Sequence, residues 1–127
     1  MNAVDITLQD ITFTQFFKTD NTFLITINFK VNNELKSYEN RISLNDPDVI
    51  AEKLIKEIKS RFEVKAQGRD FLDNLVVARV KNIEETTERL SGYIRRVADK
   101  VKMFKHDKQA EGYLNRVASF DKICMRF

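Results

Sequence analysis

Tryptophan is absent from this chain, and histidine, cysteine and proline occur once each. The lone Cys124 excludes an internal disulfide, which suits a reducing compartment. One cysteine and His106 cannot close a four-ligand zinc site. His106 is also the sole imidazole for a Ser–His–Asp or Cys–His centre, and it falls in a polar stretch. Cys124 falls on an apolar stripe and reads as a small buried hydrophobe. The three glycines, Gly68, Gly92 and Gly112, stand apart, so no Gly-rich loop can cradle a phosphate. No run of about 18 apolar residues exists to span a membrane, and the opening MNAVDITLQD reads as a strand rather than a leader. The expectation is a cytoplasmic protein with no membrane segment, catalytic residue, cofactor or metal.

The carboxylates do not alter that expectation. Asp46, Asp48 and Glu52 gather at one predicted helix start, where capping by Asp46 and the helix dipole account for the first two. Asp20 with Glu34-Leu-Lys36 mimics the acidic and Glu-x-Lys elements of a nuclease. Asp20 opens one predicted strand and Glu34 follows its far end, so about a dozen residues at roughly 3.3 Å each hold them apart.

What the chain does contain is long regular elements. Its 127 residues are 43% hydrophobic and 32% charged, with ten phenylalanines for a core, and they suit a single α+β domain. Val4, Ile6 and Leu8 share one parity while Ile11 and Phe13 share the other. A bulge at Gln9–Asp10 would restore one face. After the polar turn Lys18-Thr-Asp-Asn21, Phe23, Ile25, Ile27, Phe29 and Val31 alternate with polar residues, a clear strand. Asn32-Asn33-Glu34 turns the chain into a weaker, charged strand over residues 35–44, an exposed edge. The predicted sheet is a three-stranded antiparallel meander. A helix follows from Pro47, with Ile50, Ala51, Leu54, Ile55, Ile58 and Phe62 on one arc and Gly68 as its stop.

Beyond residue 68 the chain reads as a helical part, residues 69–127. Residues 74–81 have strand composition, and Asn82 with Glu85 matches a capping box, so a fourth strand is the alternative. Yet apolar residues recur at steps of three and four through Leu72, Val76, Val80, Ile83, Thr87, Leu90, Ile94, Val97, Val101 and Phe104. That period predicts one long helix over residues 71–105, on the order of 50 Å, overhanging the sheet. A return helix carries Tyr113, Val117, Phe120, Cys124 and Phe127. The stripe from Val76 to Phe104 suits either a two-stranded coiled coil, hence a dimer, or a hairpin with the return helix. Gly92, next to Ser91 inside the helix, predicts a bend or a close backbone contact.

Charge is unevenly spread. Residues 1–64 hold ten acidic and eight basic side chains, and residues 65–127 hold nine and fourteen. Arg89, Arg95, Arg96, Lys100, Lys102 and Lys105 crowd the long helix. Four of them on its outer face could follow phosphates, which would give a salt slope near −3.6 on duplex DNA at about 0.9 per phosphate. Aromatics do not interleave with them, so stacking on single strands is not expected. The sequence therefore predicts a small non-enzymatic assembly or adaptor protein. It would pair with itself through the apolar seam and offer its basic face to a protein partner. Nucleic-acid binding through that face is the alternative.

Overall fold

A computed structural model describes residues 2–63, 76–106 and 122–127. Three strands, β1 (Asn2–Phe17), β2 (Thr22–Val31) and β3 (Glu34–Ser43), precede helix α1 (Pro47–Ser60); strand β4 (Val76–Val80), helix α2 (Ile83–His106) and strand β5 (Ile123–Arg126) follow. The five strands form one sheet in the order β3-β2-β1-β4, with β5 also on β1. The α+β class stands, but the sheet is mixed and not purely antiparallel. β4 runs parallel to β1 over Asn2 to Ile6, whereas β5 runs antiparallel to it over Asp10 to Phe13. β1 is long enough for one of its edges to carry two short strands end to end. Lys81 donates to the Ile6 carbonyl at 2.8 Å and Phe127 to the Gln9 carbonyl at 3.0 Å, closing the gap between them.

Turn chemistry explains the sharp corners. Asn32 and Asn33 both have positive φ, 48° and 72°, which is what a two-residue type I′ hairpin turn demands and what Asn tolerates better than most residues. Asn21, Asp46 and Asn82 also take left-handed backbone. That corrects two expectations. Asp46 makes no side-chain cap to α1, and Asn82, at φ 53°, lacks the extended backbone that a helix cap normally adopts. Both residues instead reverse the chain where a sheet strand hands over to a helix.

One face of the sheet is apolar and lies under the helices. Ile6, Leu8, Ile11, Phe13, Phe23, Ile25, Ile27, Phe29 and Ile42 join Leu54 and Ile58 of α1 and Leu90, Ile94 and Val97 of α2 in a single core. Phe13 meets Phe23 edge to face with centroids 5.6 Å apart, and Phe29 meets Phe62 at 5.8 Å. The α1–β3 contact includes a polar knot. Tyr38 donates its hydroxyl to Glu57, and Asn40 Nδ2 donates to Tyr38 Oη at 2.8 Å and to Glu57 Oε2 at 3.3 Å. The Arg61 guanidinium covers the Tyr38 ring at 4.5 Å. Burial first, and then the Glu57 carboxylate, push the Tyr38 phenol up to about 12. A raised folded-state pKa means stability that is whole below pH 10 and lost as pH climbs from about 10 to about 12. Two units correspond to at most ~2.7 kcal/mol, and water at the rim of the knot brings the expected loss to about 1–2 kcal/mol. Urea midpoints at pH ~9 and ~11.5 will show this loss in the wild type, and Tyr38→Phe will not show it.

The second half departs further from expectation. Residues 76–80 are strand, so the single helix over 71–105 does not form and α2 begins at Ile83. Cys124 and Phe127 belong to β5 and its end rather than to a return helix. Residue 68 does not divide sheet from helices, because β4 and β5 both join β1. Gly68, Leu72, Gly112, Tyr113, Val117 and Phe120 lie outside the described residues.

Candidate interaction surface

Helix α2 carries the residues singled out from sequence, and its neighbours decide what each can do. Leu90, Ile94 and Val97 are fully buried and Val101 nearly so. Val80 is buried in β4, Val76 is half-buried there, Thr87 is half-buried, and Ile83 is 41% exposed. The seam from Val76 to Phe104 is therefore not one helical stripe. Its first two members sit on a strand, and its middle is covered by α1 and the sheet of the same chain. The apolar period was real, but what it faces is the chain's own core. The side chains of Phe104, Lys105 and His106 lie outside the described residues.

The basic residues fan around the exposed arc instead of forming one row. Arg89 pairs with Glu85 at 3.3 Å and lines a shallow hollow with Lys81, Asn82 and Phe127. Arg95 pairs with Asp48 at 3.3 Å, and buried Ser91 donates its hydroxyl to the same carboxylate. Asp48 thus ties the first turn of α1 to the middle of α2. Among the described residues Arg96, Lys100 and Lys102 have no ion pair. Lys102 and Arg95 border a cleft of about 420 Å³ floored by Leu44, Ala98 and Val101 and flanked by Asn21, Asp46 and Asp99. Two bases and two acids balance there. Sequence reasoning missed this cleft, since it needs Asn21 and the 44–47 corner brought beside α2. The run Asn45-Asp46-Pro47 was its one visible signal.

Gly92 is exposed on α2, and among the described residues a β-carbon built there would meet nothing within 4 Å. Among the described residues no neighbour requires the bare backbone, so none of them makes the close backbone contact expected there. Gly in a helix interior costs about 1 kcal/mol relative to Ala. Gly92→Ala should therefore raise stability by about that much and the melting temperature by about 3–6 °C, as read by thermal unfolding.

The opposite face of the sheet is polar. Asp10 accepts from Asn28 Nδ2 at 2.8 Å, and Cys124 is exposed opposite Thr12, not buried as its apolar spacing implied. At one corner Arg41 lies over the Phe17 ring at 3.7 Å and pairs with Asp20. The Thr22 hydroxyl, helped by the Arg41 charge, holds the Asp20 carboxyl below its usual range against an opposing desolvation. Glu34 pairs with Lys36 at 3.6 Å at the far end of the hairpin, so Asp20 stays apart from the other two members of the nuclease-like trio. Among the described residues no three His, Cys, Asp or Glu side chains converge as metal ligands, and no helix is long and apolar enough to cross a membrane. No protein-family model matches the chain. No curated protein and no solved structure matches it either.

Proposed function

We propose that the protein is a small non-enzymatic assembly or adaptor protein whose working surface is the exposed arc of α2. The observation that supports this is the group Gly92, Arg96 and Lys100: adjacent on that arc, exposed, and not engaged by the chain's own described acids. A protein partner fits better than a nucleic acid. Arg89 and Arg95 are already neutralised by Glu85 and Asp48, which leaves Arg96, Lys100 and Lys102 among the described residues of α2 and a duplex salt slope near −2.7, at about 0.9 per phosphate. The acids Glu84, Glu85 and Glu88 precede them on the same exposed side, which would repel a phosphate backbone laid along the helix.

A photo-crosslinking residue at position 96, with a control at position 53 on the exposed side of α1, tests the reading in expressing cells. Protein adducts at 96 and none at 53 are expected; no adduct at 96 ends it. A labelled random duplex tests the alternative. Binding that weakens with salt and disappears in Arg96→Ala plus Lys100→Ala would put nucleic acid in place of the protein partner.

A further inference from the structure

Resting on that reading, we propose that the partner of this face is a second copy of the chain. The two α2 helices cross antiparallel at Gly92, so that Glu88 of each copy meets Arg96 of the other. Steps of four residues put Glu88, Gly92 and Arg96 on one line along α2, at about 6 Å per step. All three are exposed. A two-fold axis through Gly92 exchanges position 88 with 96 and position 84 with 100, so Glu84 also meets Lys100 of the second copy. The symmetric contact therefore holds four complementary pairs. The same operation brings Arg89 near Arg95 and Glu85 near Asp99. Arg89 and Glu85 neutralise one another, and Asp48 neutralises Arg95, so those approaches carry little net charge. The helix dipole by itself favours acids early and bases late in any helix. It does not account for the bare residue midway, where nothing among the described residues lies within 4 Å of an added β-carbon. A glycine at the crossing point lets two backbones approach below the usual 8–10 Å or so between helix axes. An isologous contact of this kind closes on itself and stops at the dimer.

The contact is polar and small, below the ~1,200 Å² of a stable interface, so the dimer is weak, with Kd on the order of 0.1–1 mM. Sedimentation from micromolar to millimolar protein should show self-association at low salt that is lost at about 1 M salt. Glu88→Lys alone and Arg96→Glu alone should each weaken it by about tenfold or more, because like charges then face one another. The double variant Glu88→Lys with Arg96→Glu should restore it. Gly92→Leu should abolish it, with thermal unfolding confirming that each variant folds. A monomer at every concentration overturns the proposal, as does a dimer indifferent to these substitutions. Adducts at position 96 with other proteins only would overturn it while leaving the adaptor reading intact. Duplex binding lost in Arg96→Glu and not regained in the double variant would overturn both.

Discussion

Ile94→Ala is expected to destabilise the protein by about 2–5 kcal/mol, with an unfolding midpoint that does not move with protein concentration. Ile94 is fully buried between Leu90 and Val97 of the same stripe, in a core shared with α1 and the sheet. Truncation there leaves a cavity in a chain whose whole stability is on the order of 5–15 kcal/mol. Had the stripe been the seam of a coiled coil, the same substitution would have acted on subunit association. The midpoint would then have risen with concentration, since a partner that binds only the folded state adds stability by mass action. Urea titrations at two concentrations a hundredfold apart separate the cases. A concentration-dependent midpoint in the wild type, abolished in Ile94→Ala, would return these residues to an interchain seam. The weak polar dimer proposed at Gly92 does not confuse the test, because at micromolar protein it is dissociated.

The reason the stripe misled is physical. A period of three and four identifies the side of a helix that must be covered, not the body that covers it. Sequence spacing also ran the stripe through Val76 and Val80, which are four apart and so fit a helical face. In a five-residue strand the same two residues share a face because their separation is even. The local composition VVARV, β-branched at three of five positions, was the better guide. Left-handed Asn82 is the break between the two elements. In β5 the spacing of Cys124 and Phe127 suggested a helix for the same reason: four residues are too few to display a period of two. Ile123 and Met125 turn inward there, while Cys124 and Arg126 turn outward.

The first half was far more legible, because its strands are long. Ten-residue β2 alternates without interruption and buries every second residue. The parity switch between Leu8 and Ile11 marked a bulge, and the β1–β2 register does slip between Leu8 and Asp10. A second slip, between Phe13 and Gln15, left no trace in the pattern. Phe16 and Phe17 are both aromatic, so parity cannot be read there. Phe16 packs on Phe23, and Phe17 lies under Arg41 on the other face. For the candidate surface, sequence named the basic residues but not their division. That division depends on Asp48, which lies far along the chain from Arg95 and reaches it only once α1 and α2 pack together.

Phe13→Ala is expected to have the largest effect of any substitution considered, about 3–5 kcal/mol. Phe13 is fully buried and stands where three strands meet. It is opposite Ile25 of β2 and Ile123 of β5, with its ring edge-on to Phe23. Removing the ring therefore deletes apolar burial, an aromatic contact worth about 0.5–1.5 kcal/mol, and the footing of β5. That strand is four residues long and is otherwise held by its ladder to β1, the Phe127–Gln9 bond, and Tyr93, which donates to the Arg126 carbonyl and packs on Phe127. Phe13→Leu keeps most of the volume and should cost only about 1–1.5 kcal/mol. Native-state amide exchange in a protein carrying Phe13→Leu should then show protection lost at Ile123–Arg126 before it is lost in β2. Among the described residues β5 has only β1 beside it, whereas β2 lies between β1 and β3. If Phe13→Ala cost less than about 1 kcal/mol, or if β2 opened ahead of β5, Phe13 would not be the junction between the long hairpin and the C-terminal strand.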